Sequence, residues 1–163
     1  MSRNILYNKA YSILKNKTPL ENDCGSICNS ACCKGNDKTG MYLYPGEELL
    51  YERQHQSWYN ISNSTISLPN QYTIKQFICT GTCHRDKRPL ACRIFPFMPY
   101  INDKNHLEIR MDLKALHVCP ICKNVELYIV QDDFIDALYD VFEILIEDEQ
   151  ILDFIYLLSD DYN

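Results

Sequence analysis

Cys24, Cys28, Cys32 and Cys33 place four thiols within ten residues, and five more follow at Cys79, Cys83, Cys92, Cys119 and Cys122. Thiolate sulfur is the soft ligand that selects zinc, cuprous copper or iron–sulfur clusters. Thiols grouped this tightly are poor candidates for ordinary core packing. The chain reads as a metal–thiolate protein, and all nine cysteines are candidate ligands. The cofactor implied is an iron–sulfur cluster or zinc; cysteine ligands suit both. No residue presents itself as a catalytic acid, base or nucleophile.

Geometry restricts the first cluster. On one helix, Cys24, Cys28 and Cys32 would share a face with about 12 Å between the outer pair. Zinc–sulfur bonds of about 2.3 Å keep two thiolates on one ion within about 4 Å of each other. Either the run is a knuckle-like loop, which Gly25 and Asn29-Ser30 permit, or its thiols serve more than one centre. Ligands from distant segments must complete any site. Cys83, Cys92, Cys119 and Cys122 are the candidates, the last two in a Cys-x-x-Cys pair common to zinc and iron–sulfur sites. His84 and His117 flank cysteines but read as supporting or surface residues, and His55 and His106 receive no role.

Charge supports the same reading. No Lys or Arg follows Lys123, whereas twelve acids run from Glu126 to Asp161. The other ten of the 22 acids face all sixteen bases, a balance of +6 over residues 1–123. Those bases are scattered, except that Arg85, Lys87, Arg88 and Arg93 interleave with Cys83 and Cys92. Positive charge beside cysteine lowers thiolate pKa and offsets the charge of a thiolate-bound metal. Phosphate grooves want a longer basic stripe, so nucleic acid is not an expected partner. No apolar stretch reaches the roughly 20 residues of a membrane span. The N-terminus lacks the apolar core of a signal peptide, which implies a cytoplasmic, reducing setting in which disulfides are not expected.

The elements that must position these thiols are short. The expected fold is an irregular α+β domain over residues 1–163. It combines a small metal-stabilised, cysteine-rich core, few strands, an N-terminal helix and C-terminal helices. Ile5, Leu6, Ala10, Ile13 and Leu14 predict a first helix over residues 3–16. Met41–Tyr44 reads as a short extended piece. Pro45 then suits a first helical turn, with Glu47 and Glu48 near its N-terminus and Leu49, Leu50 and Trp58 on its apolar side. The Asn- and Ser-rich residues 60–71 read as an exposed loop. Tyr72–Cys79 and His106–Met111 read as strands, and the Pro-spaced residues 95–100 as an irregular extended segment.

Phe134, Ile135, Leu138, Phe142, Leu145 and Ile146 form a helical stripe, and Ile151, Phe154, Ile155 and Leu158 continue it after a break near residues 147–150. Residues 20–123 thus form the metal-binding region and 124–163 an acidic helical cover. Should that stripe face solvent, the acidic helices would be the surface for a protein partner.

Residues Cys83 to Phe97 also resemble the signature of the YkgJ-like cysteine-cluster proteins, a family described as zinc- or iron-chelating. The resemblance comprises the close run Cys24, Cys28, Cys32, Cys33, then Pro45 to Glu48, then Cys-x4-Arg-Pro-x2-Cys-Arg-x-Phe-Pro, filled by Cys83, Arg88, Pro89, Cys92, Arg93, Phe95 and Pro96. The first element is spaced Cys-x3-Cys-x3-Cys-Cys here, wider than the family's two-residue gaps. The resemblance implies metal chelation, led by Cys28, Cys32, Cys33, Cys83 and Cys92, with Arg88 and Arg93 balancing charge and Phe95 and Phe97 as an apolar wall. It extends distantly to flagellin lysine-N-methylases, so an iron–sulfur enzyme is one alternative; a zinc-stapled interaction module is another.

Overall fold

The computed structural model describes residues 1–34, 38, 40–52, 56–81 and 83–161. Gly35 and His55 lie outside them. Helix α1 (Arg3–Ile13) buries Leu6, Tyr7 and Ala10 against α5 (Asp132–Leu145), whose inward residues Phe134, Leu138, Val141, Phe142 and Leu145 are fully buried. Asp133, Asp136, Asp140 and Glu143 of α5 face solvent, as the helical stripe requires. The break after α5 is set by Asp148. Its carboxylate caps α6 (Glu149–Asp160), accepting from the Gln150 and Ile151 amides at 3.0 and 3.3 Å. The same carboxylate takes two bonds from the Arg3 guanidinium, 2.7 and 2.9 Å, tying α1 to the α5–α6 turn. Such a cap is worth about 1 kcal/mol. No helix among the described residues is long and apolar enough to cross a membrane.

Two small antiparallel sheets complete a mixed α+β fold. β1 (Met41–Tyr42), β3 (Thr73–Cys79) and β2 (Tyr59–Ser67) form one, in that order, with Met41 opposite Phe77 and Tyr59 opposite Cys79. β4 (Phe97–Ile101) pairs with β5 (Leu107–Met111) in the other. α6 packs on β4 and α5 on β5, so the main core lies between the helices and this second sheet. The cysteines themselves are not part of that core.

Three expectations are corrected. Residues 60–71 are not a loop: β2 runs to Ser67, and only Leu68–Gln71 turns, closed by a 2.9 Å bond from the Gln71 amide to the Leu68 carbonyl. As an edge strand β2 can carry Asn and Ser toward water while Ile61 and Ile66 pack inward. The segment after Phe95 is a regular, wholly buried strand despite Pro99. Its outer edge explains the tolerance. The Ile101 amide donates not to β5 but to Ser159 Oγ at 2.9 Å. Alternate amides of a strand point the same way, so the N–H missing at Pro99 faces that same edge, away from the ladder. Finally, Pro45 opens no regular helix. A single 3₁₀ turn, Glu47–Leu50, follows Gly46; its two acids are buried, Leu49 is half exposed, and Trp58 belongs to the approach to β2.

Candidate metal centre

The Cys24–Cys33 run folds back on itself. α2 (Gly25–Cys28) is one turn long and ends at Asn29 and Ser30, both left-handed with φ of 50° and 53°. Asn adopts this conformation at low cost, and a left-handed residue commonly terminates a helix. A 3₁₀ turn, Ala31–Cys33, then reverses the chain, fixed by a 2.8 Å bond from the Cys33 amide to the Ser30 carbonyl. Cys32 and Cys33 therefore do not continue the line of Cys24 and Cys28, and the single-helix geometry is avoided.

The other thiols arrive from three directions. Cys79 ends β3, and Gly81 brings the following loop against the N-terminal run. At φ of 90°, a Cβ on Gly81 would sit 2.9 Å from the Cys33 carbonyl oxygen, so only glycine permits the approach. Cys92 lies on α3 (Leu90–Ile94), which starts after Pro89. Cys119 precedes α4 (Pro120–Lys123), with Pro120 at its first position and Cys122 within it.

These segments meet around two adjoining cavities. Cys24, Cys28, Cys32, Cys92 and Cys119 line the first, of about 30 Å³, together with Arg85 and Arg88. Cys32, Cys33, Cys79, Cys83 and Cys92 line the second, of about 250 Å³, again with Arg88. Cys32, Cys92, Arg88 and Phe95 belong to both walls. Cys122 stands behind Cys119 in a small buried cluster with Ala115 and Ile121. All nine cysteines are free thiols. Among the described residues, no three His, Cys, Asp or Glu side chains converge closely enough to form a metal-holding group; the thiols rim the cavities. His84, His106 and His117 are exposed and line neither.

Crowding shapes the electrostatics. Burial, then the neighbouring Cys79, Cys33 and Cys83, pushes the Cys92 thiol well above its ordinary range. Burial, Asp23 and Cys119 raise Cys24, and burial with Cys119 raises Cys122 to about 12. Cys33 is the exception. A hydrogen bond from Cys32 and the Arg88 charge hold it down, to about 6, while Cys32 rises correspondingly. Burial also raises Cys83, against the pull of a hydrogen bond from Arg88. Arg88 Nε is buried and has no hydrogen-bond partner among the described residues.

The two arginines expected to balance thiolate charge are placed differently. Arg88 faces the thiols; Arg93 does not. The Arg93 guanidinium donates to the backbone carbonyls of Arg88, at 2.8 Å, and Asp86, and lies 4.3 Å over the Tyr11 ring. Arg85, given no separate weight in the sequence, takes a place on the first cavity. Phe95 walls both thiol cavities, whereas Phe97 packs in the main core.

Glu47 has a role that its sequence position concealed. Its carboxylate is fully buried and accepts from the Leu90 amide at 2.6 Å, the Tyr44 amide at 3.1 Å and the Tyr11 hydroxyl. The Leu90 bond pins the first residue of α3, and so places Cys92. Burial raises the Glu47 carboxyl to about 7 despite these donors. A Pro-Gly-Glu-Glu sequence looks like a helix start, and only the tertiary fold turns the first acid inward.

No family model, curated protein or solved structure matches this chain.

Proposed function

We propose that the chain is a cytoplasmic metal-binding protein whose thiolates chelate an iron–sulfur cluster or zinc. The observation that carries this reading is the gathering of eight cysteines, from segments far apart in sequence, around two cavities with Arg88 between them. The rim fits such a group chemically. Its soft donors are all sulfur, which suits zinc and iron–sulfur alike. The Arg88 guanidinium, hydrogen-bonded to the Cys83 thiol, is a donor beside a site that becomes anionic when thiolates bind a metal. Burial, and after it neighbouring sulfur, holds Cys24, Cys83, Cys92 and Cys122 toward the protonated state, so a cation that replaces those protons relieves the crowding. The resemblance of residues 83–97 to the YkgJ-like signature points the same way.

Within this reading the chain's own residues divide the work. Gly81 lets the Cys79–Cys83 loop reach Cys33, and Glu47 fixes α3 so that Cys92 stands between the cavities. Arg85 and Arg88 balance thiolate charge, and Phe95 limits water. When bound, an iron–sulfur cluster would supply one-electron chemistry and zinc would supply a structural staple. A catalytic role related to lysine methylation has no support from a named acid or base. The apolar stripe of α5 is used inside the fold, which leaves only its acidic outer face for a cationic protein partner.

Cys92→Ser tests the proposal, because Cys92 is shared by both cavities and serine keeps its size while supplying a harder, normally protonated ligand. Anaerobically purified Cys92→Ser should carry less metal per chain than wild type and melt at lower temperature. Equal metal content and equal stability would remove Cys92 from the ligand set and with it the shared-centre reading.

A further inference from the structure

Arg93, turned away from the thiols, lines a separate cavity of about 320 Å³ that shares no residue with either thiol cavity. Its volume is at the small end of the range for small-molecule sites. Leu50, Tyr51, Trp58 and Tyr59 give it a largely aromatic wall, and the exposed Asp86 and Lys87 border it. Tyr59 meets Trp58 at 4.8 Å and 74°, and Tyr51 at 5.6 Å and 78°, so the rings form a corner. The Tyr59 hydroxyl donates to the Tyr51 carbonyl at 2.7 Å and the Tyr51 hydroxyl to the Lys87 carbonyl at 3.3 Å. These bonds tie the aromatic wall to the segment that carries Asp86 and Lys87.

Arg93 is the feature that packing alone does not explain. It is 5% exposed, and among the described residues no carboxylate forms an ion pair with it. Its Nε and Nη2 bonds to the Arg88 and Asp86 carbonyls use two of the five guanidinium N–H groups. The Glu47 carboxyl feels its charge, but the Glu47 oxygens are taken by Leu90, Tyr44 and Tyr11. A buried cation without an ion partner is costly, and an anion that reaches it recovers part of that cost. Charge then selects the ligand. Arg93 and Lys87 against Asp86 leave one net positive charge along the lining, which matches a monoanion better than a dianionic phosphate ester and opposes a cation despite the rings. The aromatic corner favours a flat, apolar body on that anion.

We propose that this cavity binds a small aromatic monocarboxylate, with Arg93 pairing the carboxylate and the Trp58–Tyr59 corner holding the ring. The site is independent of whether the thiols hold a metal.

Benzoate and benzamide test this as a pair, since they match in shape and differ in charge. Each is titrated calorimetrically into the purified full chain and into Arg93→Gln and Trp58→Ala, with phenyl phosphate as the dianionic comparison. Wild type is expected to bind benzoate saturably at one site, and benzamide about tenfold more weakly or worse, the effect of a hydrogen bond to a charged group. Phenyl phosphate should bind more weakly than benzoate. In Arg93→Gln the ratio of benzoate to benzamide affinity should fall about tenfold. Trp58→Ala, at a partly exposed position, should weaken both ligands and leave their ratio unchanged. Should Arg93→Gln fail to fold, the wild-type ratio and Trp58→Ala decide the matter. Absence of saturable benzoate binding to wild type, equal affinity for benzamide, tighter binding of phenyl phosphate, an unchanged ratio in folded Arg93→Gln, or undiminished binding to Trp58→Ala would each overturn the proposal.

Discussion

Replacing Glu47 by Gln should change how stability depends on pH, and the structure sets the size of the effect. The Glu47 carboxyl titrates near 7 in the folded chain, against 4.5 for an unperturbed glutamate. The folded state therefore holds more protons than the unfolded state between those values, and stability falls as pH rises through the window. Each pH unit there is worth about 1.4 kcal/mol, so the wild type should lose about 3 kcal/mol between pH 4.5 and 7.5 from this group alone. Glutamine removes that slope at a structural cost. One amide oxygen can still accept from Leu90 and Tyr11, but the amide NH₂ meets the Tyr44 N–H, donor against donor, for about 1–3 kcal/mol. Glu47→Gln should thus be the less stable protein at pH 5 and draw level with wild type, or pass it, by pH 7.5. Urea unfolding of both proteins across this range isolates the term, because other titrating groups cancel in the difference. Parallel pH profiles would refute the reasoning.

Gly81→Ala places a side chain at a positive φ and against the Cys33 carbonyl; it should destabilise by about 1–3 kcal/mol and lower metal content, both measurable on one preparation. Wild-type metal content with an unchanged melting temperature would deny the close approach. Phe142→Ala empties a fully buried position under Tyr44 and should cost about 3–5 kcal/mol in chemical denaturation. A loss below 1 kcal/mol would mean that α5 does not pack as described.

The long periodic segments were legible because the signal and the fold share one cause. The apolar stripe of residues 134–146 repeats at helical spacing and is buried on that face, and α1, β3 and β5 follow by the same logic. Local pattern failed where the deciding contact is distant. The polar composition of β2 says loop, yet pairing with β3 and the stacking of Tyr59 on Phe77 at 4.8 Å make it a strand. Glu47 answers to Tyr11 and Leu90, far along the chain, whereas Arg93 turns from the thiols to backbone carbonyls five and seven residues back and to the distant Tyr11 ring.

At the candidate site, the residue types and the need for distant segments to meet could be read from spacing. The division of the thiols between two cavities could not, because it depends on Gly81, on the left-handed pair Asn29-Ser30 and on Glu47 at the base of α3. Gly81, lying between Cys79 and Cys83, was the available clue to close backbone approach.

The central claim is that these thiols hold metal, and elemental analysis of the full chain purified without oxygen tests it most directly. Iron with acid-labile sulfide and broad visible absorbance lost on reduction, or zinc in a fixed ratio to protein without colour, is the expected result, and either would name the centre. A folded chain that contains neither, and in which all nine thiols react freely with a thiol reagent before and after chelator treatment, would contradict the account.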